Sequence, residues 1–461
     1  MNESLTLARY IVDTDYNKIP GNVADITKKS FLDGLGTMIA ASGLGEGCQQ
    51  FVNLAIKGGG KKESTIIGAH TKVPSYMAAY ANGSMSHALD YENLGPSGHP
   101  NAAAITAALA VAESIGNVSG KELTAAITLG CDIVCRLALA SQQDANLSHA
   151  FGWYPPSIYG TFGATTAACK LLELSPEQIL DAFSLAMCQS TCSGELIFSP
   201  NGIVRAIRDA FAAKAGVLSA LLAQKGIKGF EHPIEGKAGF YTMYARGKYD
   251  PHILTNDLGK AFESANVRFK PWPSCGGTHP YIAATLQIVD KYDIKPSDVE
   301  AIRFVLHSPN TMLCEPLESK RKPSTAIDAK FSTPFCIAIA LVDKRVTLGH
   351  FTPQALLDPD ILEVAQKITY EIGTTTEEGA DTAPQGLVQI KTKHEEISSK
   401  EIEFLYGHPK NPMSQEALVA KFMDCAVYSI RRISKKNLNK VVQLILHLED
   451  VKNIGEIVEC L

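Results

Sequence analysis

One stretch of this chain cannot be crossed by a helix: Ser86-His87-Ala88-Leu89-Asp90-Tyr91-Glu92-Asn93-Leu94-Gly95-Pro96-Ser97-Gly98-His99-Pro100. Gly95, Pro96, Gly98 and Pro100 break it. Proline lacks the donor a helix interior needs, and glycine weakens it further. On both sides the sequence reads as buried helix. Ser75 to Ser86 is rich in small residues, and the Ala-rich run Asn101 to Ala112 follows. The stretch is therefore a loop held between core helices, carrying two histidines and two acids. Such a loop can set acid–base groups in a dry pocket. The alternative is a solvated loop with incidental histidines.

Around this loop the chain changes texture once in each direction. Residues 1–264 read as helical, with apolar positions at helical spacing through Ile26–Leu54 and helices over 101–115, 120–141, 157–172, 176–190 and 203–224. Ser119 with Glu122 makes a capping box for the second of these. Only Ser64 to Ile67 suggests a strand. From 265 to 403 the reading is mixed: strands over 301–307, 368–372 and 386–392, and helices from His279 and from Asp328. The segment 404–461 is helical again from Ser414. The expected fold is mainly α with a smaller α/β (α+β) domain: helical domain 1–264, α/β domain 265–403, and a C-terminal segment 404–461 that returns to the helical domain.

Several function classes are not expected. The chain has 461 residues, a 20% charged fraction and a formal charge of −5. It shows no block or stripe of Lys and Arg, so nucleic acid is not an expected partner. The apolar runs are broken by Glu113, Asp132 and Arg136, short of the roughly 18 clean residues a membrane helix needs. No membrane partner is expected, and with no secretory leader the expected location is the cytoplasm. Gly34 and Gly36 follow no strand, and Gly58-Gly59-Gly60-Lys61-Lys62 lacks the spacing of a phosphate loop. The eleven cysteines form no C-x-x-C and no zinc-type spacing. They read as small buried thiols. No metal and no cofactor is expected.

His-Ala-Leu-Asp-Tyr-Glu followed by His-Pro resembles the MmgE/PrpD family. Four further pieces recur in order: Pro155-Pro156-Ser157 with its Gly/Ala helix; Lys270-Pro271-Trp272-Pro273-Ser274-Cys275 with Thr278-His279-Pro280; Lys330-Phe331-Ser332; and Gly407-His408-Pro409-Lys410-Asn411-Pro412. That family holds 2-methylcitrate dehydratases, cis-aconitate decarboxylases and iminodisuccinate epimerase. The resemblance implies a homodimer acting on a small polycarboxylate. Its chemistry is at the carbon beside a carboxylate: dehydration or decarboxylation, with epimerisation by two proton-transfer groups as the alternative.

Such chemistry needs a base, an acid and cations for the carboxylates. His99 is the candidate general acid/base, its backbone fixed by Gly98 and Pro100. Asp90 is placed to orient His87 or His99, or to stiffen the loop, and His87 reads as structural. Tyr154 stands where the resemblance implies His, and a cation such as Arg205 would be needed to favour its phenolate. A buried, hydrogen-bonded aromatic is the other reading of Tyr154. Arg205 stands where Lys is implied, and Arg suits bidentate carboxylate binding. Lys270 and His279 are implied to reach the substrate from the second domain, with a purely local role as the alternative for His279. Gly276-Gly277 stand where an Arg is common, and Phe335 where decarboxylases carry Tyr.

Overall fold

The computed structural model describes residues 2–96, 98–141, 152–199, 202–306, 311–373, 386–399 and 402–461. Its larger part is a helical assembly. Helices Ser75–Ser86, Pro100–Ile115, Gly120–Ser141, Pro155–Leu171 and Asp209–Gln224 pack on one another. Small residues set how closely they approach. A side chain at Gly130 would sit 2.8 Å from the Gly163 carbonyl, and one at Gly163 would sit 2.9 Å from the Gly130 carbonyl. The two helices therefore meet backbone to backbone, which no Cβ permits. The Ser119–Glu122 capping box is formed: Glu122 Oε2 accepts from the Ser119 amide at 2.7 Å, and the Glu122 amide donates to Ser119 Oγ at 3.3 Å.

Helix Gly120–Ser141 corrects one reading of the sequence. It is long and apolar enough to cross a membrane, yet 94% of its apolar window is buried inside the fold. Asp132 and Arg136 do not break it, because they pair one turn apart at 2.7 Å. Eight of the cysteines are buried; Cys188, Cys192 and Cys275 reach solvent in part.

Strand β1 (Ser64–Ile66) pairs antiparallel with β2 (Thr71–Val73), a partner the sequence reading lacked. The second part carries a four-stranded sheet of order β4-β3-β5-β6. Strands β3 (Val299–Leu306) and β4 (Ile368–Ile372) run parallel; β5 (Val388–Thr392) pairs antiparallel with β3 and with β6 (Glu396–Ser398). His307, expected at the end of β3, lies outside the described residues, as does Ser97 of the central loop. Ile302 faces both Ile368 and Ile390 across the sheet. Helix His279–Tyr292 packs beside it, helix Thr333–Asp343 packs on that helix, and helix Pro359–Gln366 packs on Thr333–Asp343. Helices Gln415–Val427 and Lys435–Leu446 then pack on helix Gly21–Leu44 of the first part.

Candidate active site

The central loop leaves helix Ser75–Ser86 at His87 and enters the next helix at His99, whose successor Pro100 opens it. Proline suits that first helical position, where its missing donor costs nothing. Between them Asp90 adopts a left-handed conformation (φ 48°), which Asp tolerates better than most residues. That turn folds the loop on itself. His87, Asp90, Glu92 and His99 each bring one polar atom to within 4.8 Å of the others.

Glu92, not Asp90, is the acid closest to the histidines. Its Oε1 is hydrogen-bonded to His87 Nδ1 and lies 2.6 Å from His99 Nδ1, out of line for a straight hydrogen bond. Asp90 Oδ1 stands 3.9 Å from each ring. Its close partner is Lys270, whose Nζ donates to Asp90 Oδ1 at 2.6 Å and to the Asp90 carbonyl at 2.8 Å. The sequence reading gave the orienting role to Asp90 and overlooked Glu92, two positions further along the same motif. His87 is fully buried and shares Glu92 with His99 at a ring separation of 4.2 Å. It therefore stands inside the cluster.

The electrostatics follow from this packing. Burial opposes the charge on Asp90, but Lys270 and the two histidines outweigh it and hold the carboxyl below its usual range. Glu92 is lowered further, again against burial, by His87 and His99. Burial also opposes the Lys270 charge, and Asp90 and Glu92 keep it an ammonium. His99 is pushed down to about 4, by burial first and His87 next. Its imidazole is thus neutral near pH 7, and its side chain keeps 11% of its surface open. His87 Nε2, Asp90 Oδ2 and Glu92 Oε2 have no hydrogen-bond partner among the described residues. Bare buried polar atoms each cost about 1–3 kcal/mol, so the cluster suits a polar guest.

The same four side chains are a plausible donor set for a cation, which their linear spacing did not indicate. The Lys270 ammonium already lies against Asp90 and competes for that role.

Lys270 is carried on an extended strap clamped by two more lysines. Arg268 exchanges backbone hydrogen bonds with Leu94 (2.7 and 2.8 Å). Lys421, from the C-terminal segment, donates to the carbonyls of Tyr91 (2.7 Å) and Lys270 (2.9 Å) and lies 2.6 Å from Asp33 Oδ1. Lys330 donates to the Pro273 carbonyl at 2.9 Å, and burial lowers its pKa to about 7. His279 opens its helix, packs edge-on against Trp272, and places Nε2 3.2 Å from the Ser274 carbonyl. A carbonyl only accepts, so Nε2 carries the proton. Burial and then Lys270 push this histidine down to about 3. His279 is thus a neutral neighbour of Lys270 with a local hydrogen bond.

Tyr154 occupies the same kind of position as His99, capping helix Pro155–Leu171 just before Pro155. Gly98 packs close to Pro156, since a side chain built on it would meet that ring at 3.5 Å, so the two helix starts adjoin. The cation beside Tyr154 is Arg208, whose guanidinium lies 4.9 Å over the ring, and this corrects the expectation of Arg205. Arg205 stacks instead on Phe331 at 3.6 Å and donates to Met312 Sδ at 3.3 Å. It faces a cavity of about 770 Å³ walled also by Phe198, Lys320 and Ile327. At Gly276 and Gly277 a Cβ would meet the terminal methyls of Leu94 at 2.5 Å and Leu313 at 2.6 Å, so a larger residue there requires those leucines to shift. Phe335 is fully buried.

Comparison with known proteins places the chain by family. The MmgE/PrpD N-terminal domain model matches residues 5–252, and the C-terminal domain model matches residues 272–446. The cis-aconitate decarboxylase of Mus musculus is 25% identical over 449 residues, 94% of this chain and 88% of the mouse protein. That of Homo sapiens is 25% identical, with 83% and 78% covered. That of Aspergillus terreus is 24% identical over 462 residues, with 96% and 93% covered. With two family models covering most of its length, this chain belongs to the MmgE/PrpD family.

Proposed function

We propose that this enzyme is a lyase that breaks a carbon–carbon or carbon–oxygen bond beside a carboxylate of a small di- or tricarboxylate. The observation that carries the reading is His99: a neutral, slightly open imidazole on the rim of a buried Asp90–Glu92–Lys270 cluster. A neutral imidazole accepts a proton from carbon. An arriving polyanion raises its proton affinity, and the same ring then donates. Decarboxylation breaks no carbon–hydrogen bond, so there the ring takes its proton from solvent once the polyanion has raised its proton affinity. It delivers that proton to the carbon that carries the electron pair left by carbon dioxide. Dehydration needs the donor at the departing hydroxyl. Lys270 supplies fixed positive charge where carboxylate charge builds. Arg205, facing the large cavity, is the outer carboxylate contact. The relatives similar in sequence over most of this chain are named for decarboxylation of cis-aconitate, which makes that tricarboxylate the first substrate to try.

A second reading, epimerisation of an iminodisuccinate-like dicarboxylate, draws on the close approach of Gly98 and Pro156, beside the helix starts that carry His99 and Tyr154. Two proton-transfer groups on neighbouring helix starts suit exchange on two faces of one carbon. Either reaction is assigned here to a cytoplasmic homodimer that needs no cofactor. The test is incubation of the purified protein with a panel of di- and tricarboxylates in deuterium oxide, followed by proton NMR. Loss of carbon dioxide or water supports the lyase. Deuterium uptake with inversion and no loss of mass supports the epimerase. No change across the panel overturns both.

A further inference from the structure

Two buried arginines of this chain make an instructive contrast. Arg136 is a structural arginine with all three nitrogens engaged. Its Nε donates to Asp132 at 2.7 Å, Nη1 to the Asn256 carbonyl at 3.0 Å, and Nη2 to the Ala261 carbonyl at 2.7 Å. Arg208 is just as buried, with 1% of its surface exposed. Only its Nη1 is engaged, donating to the Arg205 carbonyl at 2.5 Å. Nε and Nη2 have no partner among the described residues. These two nitrogens form one side of the guanidinium, the side that takes a carboxylate through two parallel hydrogen bonds.

The nearest acid does not fill that edge. Asp209 Oδ2 lies 3.7 Å from Arg208 Nε, beyond hydrogen-bond reach, and is itself unpartnered. Burial opposes the Arg208 charge, yet Tyr154, Asp209 and Glu92 keep the guanidinium protonated. The same influences place it within electrostatic range of both Tyr154 and the Glu92 cluster. A bare, buried, charged edge within electrostatic range of the proton-transfer groups is an expensive arrangement for a protein to keep. It is readily explained as a binding site.

We propose that Arg208 anchors one carboxylate of the substrate side-on through Nε and Nη2. The proposal rests on the polycarboxylate reading above and deepens it. Arg205 lies in the short helix Val204–Ile207 and Arg208 at its junction with helix Asp209–Gln224, and the hydrogen bond from Arg208 Nη1 to the Arg205 carbonyl holds the two residues together. Arg208 then holds an inner carboxylate beside Tyr154, and Arg205 meets an outer one at the cavity wall. The nearby carboxylates of Asp209 and Glu92 select the guest's charge. A singly charged carboxylate is tolerated there, and a doubly charged phosphate is repelled.

The test uses the full-length protein and tricarballylate, a saturated tricarboxylate that has no double bond or hydroxyl to react. Calorimetry measures its binding to the wild type, Arg208→Lys, Arg208→Gln and a structural control, Arg136→Lys. Arg208→Lys keeps the charge and loses the fork. It should weaken tricarballylate at least about tenfold and raise KM for the turnover substrate more than it lowers kcat, with Tm nearly unchanged. Arg136→Lys should lower Tm and leave affinity alone. If the wild type binds tricarballylate and folded Arg208→Lys binds it equally well, the anchor is overturned while the polycarboxylate reading stands. If the wild type neither binds tricarballylate nor turns over any member of the panel, both fall together. A crystal structure of the wild type with tricarballylate decides the matter should neither variant fold. A carboxylate on the Nε–Nη2 edge supports the anchor, and a ligand placed elsewhere refutes it.

Discussion

Lys270 grips Asp90 at two points, the side-chain oxygen at 2.6 Å and the backbone carbonyl at 2.8 Å, across 180 residues of sequence. Both partners are buried to within 1% of their surface. Removing one leaves the other as an uncompensated charge, which costs about 3–5 kcal/mol. Lys270→Met should therefore lower stability by that order in urea unfolding. Adding Asp90→Asn should recover part of the loss, because no bare anion then remains. Equal stability of Lys270→Met and wild type would mean the pair is solvated.

His99→Gln should fold normally and lower kcat by about 10²–10⁴, the usual contribution of a general acid or base. Circular dichroism checks the fold, and steady-state kinetics on whichever panel member is turned over checks the rate. A wild-type rate in the folded variant moves the proton transfer elsewhere.

Tyr154→Phe keeps the ring that lies under Arg208 and removes only the hydroxyl. With Tyr154 as the second proton-transfer group, kcat should fall at least about tenfold. Unchanged turnover would make Tyr154 a packing residue.

Stability should fall as pH drops from neutral toward 4. The two histidines titrate near 6.5 when unfolded but near 4 (His99) and near 3 (His279) when folded. Between those values the unfolded chain binds protons that the folded chain refuses. Each such proton costs about 1.4 kcal/mol per pH unit. Asp90 and Glu92, held low in the fold, add their loss at still lower pH. Thermal unfolding followed from pH 7 to pH 4 should show a falling Tm, with a shallower fall in His279→Gln. A Tm that is flat over this range would contradict the burial of both rings.

Activity should survive extensive dialysis against EDTA. The observation at stake is the Lys270 ammonium, which already supplies the cation beside Asp90. Loss of activity on chelation, restored by one divalent metal, would hand the four-residue donor set to that metal instead.

The sequence made the helical part legible because its signals are local. Gly95, Pro96, Gly98 and Pro100 fixed a loop, and Pro155 fixed a helix start. The strands of the sheet were legible where residues alternate, as in β3, but β2 and β6 have three residues each and too little pattern to read. In the site, His99 and Asp90 stood out because they share one motif. The partners of Asp90 did not, since Lys270 reaches it only after the chain has folded. Nor could spacing separate Arg205 from Arg208: both fall in the one helix expected over 203–224, which the structure breaks at Arg208, and only packing decides which ring each one meets. Lys421 had no local signal at all.

Lys421 touches Asp33 near the start of the chain, Tyr91 in the central loop and Lys270 on the strap. It is synthesised 330 residues after Tyr91 and 151 after Lys270. As the chain emerges, its helices can collapse early, but Asp33 and the two carbonyls wait for an ammonium still on the ribosome. The pocket is therefore finished only once residue 421 has left the ribosome. A nascent or truncated chain ending before residue 421 should have most of its helices and none of its turnover.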